Sequence, residues 1–129
     1  MEFKLEVTLN VPPDQVYKAW LSSKGHSSMT GGKAEINDKP GSAFTAWDGY
    51  ITGENMDLDK NKRILQTWRT NDFKKNQEDS LVDIELIPIA NNSTKLVLVH
   101  SNLEDVDIKY RQGWKDHYFA PMKKYFSRF

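Results

Sequence analysis

Tyr110, Trp114, Tyr118, Met122, Tyr125 and Phe129 recur at steps of four, four, four, three and four residues. That spacing draws one stripe along an α-helix, and a stripe this rich in rings must be covered by something broad and apolar. It therefore predicts a long C-terminal helix laid on a sheet. Lys115, Lys123, Lys124 and Arg128 fall mostly off the stripe and, with Lys109 and Arg111, give the helix a basic tilt. Such a face suits either an acidic partner or plain hydration. Glu104, Asp105 and Asp107 precede the helix, where its dipole favours negative charge. Pro121 removes one i→i−4 hydrogen bond, so a kink is expected just before it.

The rest of the chain supplies the sheet. Phe3, Leu5, Val7, Leu9 and Val11 alternate with Lys4, Glu6, Thr8 and Asn10, the period-two pattern of a half-buried strand. Pro12 and Pro13 stop that strand and preset φ for a helix over 13–22, in which Val16, Tyr17, Trp20 and Leu21 recur at helical spacing. The stretch 22–32 is polar and Gly-rich; it reads as a loop with one helical turn at 27–30, and its His26 reads as solvated. Beyond it the punctuation is that of a meander: Lys39-Pro40-Gly41, Asp48-Gly49, Asp59-Lys60-Asn61-Lys62, the charged stretch 71–79 and Asn91-Asn92. Strands are expected at 33–37, 42–47, 50–58, 63–70, 80–88 and 94–101. Hairpin-length joints make them antiparallel. The whole reads as a single α+β domain over 1–129: about seven strands curved around the terminal helix, with two short helices after the first strand.

Composition closes several routes. With no Cys among 129 residues there is no disulfide, thiolate nucleophile or Cys-ligated metal, a usage that fits the cytoplasm. Eighteen basic and 18 acidic residues leave a net charge of +0, without the clustered positive excess of a nucleic-acid or anionic-membrane surface. No stretch approaches the roughly 18 apolar residues of a membrane span. Neither nucleic acid nor membrane is expected as a partner.

The catalytic inventory is thin. His26, His100 and His117 are scattered without a His-x-His or His-x-x-x-His pair, which makes a poor metal site. His100 and Ser101 are sequential neighbours on a strand and point to opposite faces, the wrong geometry for a dyad. Gly31-Gly32-Lys33 lacks the remaining glycine and the Ser/Thr of a phosphate loop. No catalytic residue, metal or cofactor is assigned, and the chain reads as a binding module before an enzyme.

The succession of elements resembles the helix-grip, or START-like (SRPBCC), fold, and particular words narrow it. Val11-Pro12-Pro13-Asp14-Gln15-Val16-Tyr17-Lys18-Ala19-Trp20 resembles the opening of the family named for the activator of heat-shock-protein-90 ATPase. The run from Gly41 to Trp47 and Asp48-Gly49-Tyr50-Ile51-Thr52-Gly53-Glu54 is similar to its central hairpin. Arg63-Ile64-Leu65-Gln66-Thr67-Trp68-Arg69, Thr94-Lys95-Leu96-Val97-Leu98-Val99-His100-Ser101 and Gly113-Trp114 resemble its later segments. The resemblance implies a cavity between terminal helix and sheet, a small apolar or amphipathic ligand, a chaperone partner and a part in the stress response. Candidate cavity residues are Trp20, Phe44, Trp47, Trp68, His100, Trp114, His117, Tyr118 and Met122. The plainer alternative is that these rings simply fill a core. Two further functions stand beside ligand binding: a co-chaperone stimulating the heat-shock-protein-90 ATPase, and an enzyme using His100 as acid or base. His100 has its own plainer reading, a core imidazole bonded to backbone or a neighbouring hydroxyl.

Overall fold

Strict alternation over 3–9 becomes strand β1 (Phe3–Leu9), whose odd-numbered residues are buried and even-numbered ones exposed. The computed structural model describes residues 1–127, so Arg128 and the last member of the stripe, Phe129, lie outside the described residues. After β1 come α1 (Pro13–Trp20) and α2 (Ser23–Thr30), then β2 (Ala43–Ala46), β3 (Ile51–Asp59), β4 (Arg63–Thr70), β5 (Ser80–Ile89) and β6 (Ser93–Ser101). All pairings are antiparallel, in the order β1-β6-β5-β4-β3-β2. One cross-strand row runs Phe3, His100, Val82, Gln66, Asn55, so the hydrophobic face of the sheet carries a polar seam. Beyond Asn55 the register slips at a bulge, leaving Met56 exposed.

The sheet has six strands where about seven are expected. Segment 33–37 contributes only an isolated bridge, Glu35 with Thr45. Toward β2 the ladder ends on either side of that bridge, because Lys33 O accepts from Asp48 N–H in the following turn and Asn37 O accepts from the Asn55 side-chain amide. Ser23 Oγ accepts from the N–H of Ile36 and donates to its carbonyl, and Ser27 Oγ does the same for Ala34. These serine bonds fasten the opposite side of the segment to α2. The polar stretch 22–32 likewise forms a full two-turn helix instead of a loop with one turn. Ser22 caps its N-terminus by accepting from Gly25 N–H, and Gly31 ends it at φ +90°.

The terminal helix starts as a 3₁₀ turn (Asp105–Ile108), closed by a reciprocal box between Glu104 and Asp107. It continues as α3 (Lys109–Trp114), a π-helical turn (Lys115–Phe119) and α4 (Ala120–Phe126). The expected irregularity ahead of Pro121 is this π turn, in which Ala120 N–H bonds to Lys115 O. The turn has a packing consequence. In a straight α-helix a step of four residues overshoots a full circle by about 40°, so a stripe of fours rotates off its support. The wider turn unwinds that drift. Tyr110, Trp114, Tyr118, Met122 and Phe126 are all buried, and Phe126 takes the place that the spacing alone gives to Tyr125.

Phe44 and Gly53 are paired across β2 and β3. A Cβ at Gly53 would lie 2.0 Å from the Thr67 carbonyl oxygen and 2.6 Å from the Phe44 ring. Gly53→Ala must therefore push strand backbone apart, and a loss of about 1–3 kcal/mol is expected in urea unfolding. An unchanged midpoint would contradict this packing.

Candidate functional site

Rings from β4, β6, α3 and the π turn converge where the terminal helix crosses the sheet. Trp68 on β4 contacts Tyr110 at 4.9 Å, His100 at 4.6 Å and Trp114 at 5.6 Å between centroids. Trp114 in turn lies 4.7 Å from Tyr118. Beside this cluster is a cavity of about 270 Å³. Trp68, Trp114, Tyr110 and Tyr118 line its floor and helix side, and Trp47, Tyr50, Ile51, Gly113 and His117 complete the wall.

Two buried histidines pin the helix side. Trp114 Nε1–H donates to His100 Nδ1 at 2.9 Å, so His100 carries its proton on Nε2 and donates to Ser80 Oγ at 2.8 Å. Ser80 passes the chain on to the Trp68 carbonyl at 2.6 Å. His26 works the same way: Nδ1–H donates to Trp20 O and Nε2 accepts from the Tyr118 hydroxyl, both at 2.8 Å. Burial pushes His26 down to about 4 and His100 down to about 3, so both imidazoles are neutral. The same burial pushes the Tyr118 phenol up.

The far end of the wall is tied to a surface cluster. Tyr50 donates to Asp72 at 2.6 Å, Lys109 reaches the same carboxylate at 3.1 Å, and Tyr110 shares a hydrogen bond with Thr70. The Tyr50 bond and Lys109 hold Asp72 below its usual range, while burial and then Asp72 raise Tyr50.

Trp47 differs from its neighbours. It sits in the tight turn 47–50 at φ +50°, where a residue with a Cβ is disfavoured by about 1–2 kcal/mol. Its ring lies against Gly32, where a Cβ would come within 2.5 Å of the indole, and His117 meets it edge-on at 5.6 Å. Its buried Nε1 has no hydrogen-bond partner, unlike the other buried side-chain nitrogens and oxygens among the described residues.

The family model described as "Activator of Hsp90 ATPase homolog 1-like protein" matches residues 10–127. The chain belongs to that family. The activator of 90 kDa heat shock protein ATPase homolog 1 of Mus musculus is 29% identical over 125 residues, covering 95% of this chain and 36% of that protein. The human protein of that name is 28% identical over the same shares. The chain thus spans about a third of the length of these curated relatives. Among solved structures, an HSP90 activator from Plasmodium falciparum is 25% identical with a TM-score of 0.89, covering 98% of this chain and 96% of that one. Ara h 8.0201, 16% identical with a TM-score of 0.74 over 100% and 99% of the two chains, is alike in fold. The α+β helix-grip architecture is thereby that of the Activator of Hsp90 ATPase homolog 1-like family.

Of the residues singled out from sequence in this family member, Trp47, Trp68, Trp114, His117 and Tyr118 stand together on the cavity wall. Trp20, Phe44, His100 and Met122 are buried behind it. Trp20 donates to Gln66, which donates to Asn55, continuing the polar seam of the sheet. Phe44 covers Gly53. His26 is not solvated: it is 1% exposed and bonded at both nitrogens. The paired signals of Ser22 and Gly31, one at each end of an eight-residue helix, were the clue to its burial. Tyr50, Ile51, Tyr110 and Gly113 were not singled out as cavity residues, although Tyr110 begins the stripe. Among the described residues no group of three or more His, Asp or Glu is placed to hold a metal, and no helix is long and apolar enough to cross a membrane.

The neutral histidines set a pH dependence. Above pH 6.5 both are uncharged whether folded or not, and they add no slope. As pH falls below 6.5 the unfolded chain takes up protons that the folded protein refuses, so stability falls with pH until about 4 and 3 are reached. Each histidine contributes about 1.4 kcal/mol per pH unit. Urea midpoints between pH 6.5 and 4.5 should show the combined slope, and His100→Gln should remove roughly half of it. A flat profile would refute the neutral assignment.

Proposed function

We propose that the chain is a cytoplasmic binding domain that seats a small apolar or amphipathic molecule in the cavity between terminal helix and sheet. The observation that carries this reading is the wall around Gly113. A glycine inside a helix costs about 0.5–1 kcal/mol relative to alanine. Yet a Cβ there would meet nothing within 4 Å, so packing does not require the glycine. What the missing side chain does is leave the cavity open. The rings around it supply an apolar lining, held in place by hydrogen bonds made outside the space. Catalysis by His100 finds no support in this geometry. Both its nitrogens are engaged, it is uncharged, and it does not line the cavity.

A second reading, a co-chaperone acting on an Hsp90-type ATPase, is favoured by a separate observation. The likeness to the Plasmodium HSP90 activator extends over nearly all of both chains, so a domain of this size accounts for that whole solved chain. This reading concerns the outer surface and is compatible with an occupied cavity.

Displacement of an environment-sensitive dye by small aromatic hydrocarbons tests the first reading. Gly113→Leu should weaken probe binding at least about tenfold by filling the space, whereas Gly113→Ala should retain it and raise stability by about 0.5–1 kcal/mol. Binding indifferent to leucine at 113 would sink the cavity reading. For the second, the purified domain is added to the cognate chaperone and ATP turnover followed. A faster turnover is expected; an unchanged rate with no complex on a sizing column would remove it.

A further inference from the structure

The polar side-chain groups of the cavity wall are unevenly placed. Four are engaged by partners that do not line the space: Trp114 Nε1 by His100, the Tyr118 hydroxyl by His26, the Tyr50 hydroxyl by Asp72 and the Tyr110 hydroxyl by Thr70. The Trp47 indole nitrogen is itself buried and offers nothing to the space. No Lys, Arg, Asp or Glu stands on the wall. The two charges that touch its rings offset each other, since Asp72, bonded to Tyr50, pairs with Lys109, which lies over Tyr110. His117 is the exception. It lines the wall and is also exposed to solvent, which puts it at the mouth. Among the described residues its imidazole makes no hydrogen bond or ion pair, only the edge-on contact with Trp47. It is carried by the π turn, a kind of helical defect frequent at functional sites.

We propose that the occupant is an uncharged aromatic alcohol of about two fused rings, seated with its hydrocarbon end inward and its one hydroxyl at the mouth, where the His117 imidazole binds it. The proposal rests on the ligand-binding reading above and adds to it the chemical class and the orientation. Rings around the space favour a flat aromatic body through stacked and edge-on contacts. The volume of about 270 Å³ exceeds the roughly 150 Å³ that suffices for benzene, which suits a second fused ring. The hydrocarbon end goes inward because a polar group carried inside loses its water and finds the side-chain partners there already taken. The hydroxyl stays at the mouth because the unengaged imidazole is there. In its neutral form an imidazole has one donor and one acceptor nitrogen, so it answers a hydroxyl in either direction. The fold already uses that pairing, phenol with imidazole, between Tyr118 and His26. The head is uncharged because the wall holds no counter-charge and Asp72 is occupied by Lys109.

Naphthalene, 2-naphthol and 2,6-dihydroxynaphthalene share one frame and differ in hydroxyls, so titrating all three into the domain reads both ends of the seat. The naphthol should bind up to about tenfold more tightly than naphthalene, the gain of one net hydrogen bond. The diol carries its second hydroxyl to the inner end and should bind at least about fivefold more weakly than the naphthol, the cost of a buried group left without a partner. His117→Phe keeps a ring against Trp47; it should erase the preference for the naphthol and hold naphthalene within about twofold. In a long-range ¹H–¹⁵N spectrum of the unsubstituted protein, the His117 ring nitrogens should shift with the naphthol and not with naphthalene, which decides the position of the head even if the variant is poorly folded. Naphthalene binding as tightly as the naphthol, a preference that survives His117→Phe, ring nitrogens indifferent to the naphthol, or a second hydroxyl that costs nothing overturns the proposal and leaves the cavity reading standing. Failure of all three probes to bind overturns the two together.

Discussion

Two hydrogen bonds, from Trp114 to His100 and from Tyr118 to His26, fix the terminal helix on the sheet. They differ from ordinary ring packing because they are directional and buried. Hydrophobic burial alone is satisfied by many rotations of an aromatic helix. A bond from an indole nitrogen to one imidazole, and from a phenol to another four residues on, is satisfied by one. Each histidine relays the constraint to a backbone carbonyl, His100 through Ser80 to β4 and His26 directly to the end of α1. Helix, sheet and the α1–α2 pair are locked into one arrangement by two short polar chains.

That arrangement explains the π turn. Trp114 and Tyr118 are four residues apart, and both must face inward to reach their histidines. Met122 and Phe126 continue the same step on the inner side. A straight α-helix cannot keep four successive steps of four on one line, so the helix underwinds across 115–119, just ahead of Pro121, which has no N–H to bond to the preceding turn. The stripe and the defect in the helix are the same fact seen in sequence and in space.

Much of the fold was legible because its signals are local. The alternation of β1, the prolines opening α1, the Asp48-Gly49 turn and the ring stripe each act within a few residues. The errors fell where side chains take over backbone bonds. The Asn55 side chain takes the carbonyl of Asn37, where pairing with β2 would continue, which leaves an expected strand as a single bridge. Nothing in the period of 33–37 encodes that competition. His26 was misread for a related reason: its partners are a carbonyl six residues back and a phenol 92 residues on. The candidate site was half legible. Large aromatics in four elements suggested a meeting place, but which rings line the space and which back it depends on the helix rotation. That rotation is set by the histidines and the underwound turn.

The persistence of an open-mouthed space beside so aromatic a core is itself informative. Apolar rings left facing such a space forgo contacts that closure would give them. Here closure is opposed at three points by different means. Gly113 withholds a side chain where one would fit; Trp47 is held by a left-handed turn; and the phenols of Tyr50 and Tyr110 are drawn toward Asp72 and Thr70. The first two are locally unfavourable; the indole at 47 is offset by its packing on Gly32 and His117, whereas the glycine at 113 has no such contact. An arrangement that only stabilised the chain would put alanine at 113. Retaining the glycine makes physical sense if something enters the space, and a rigid, pre-shaped wall lets it do so without first ordering the protein.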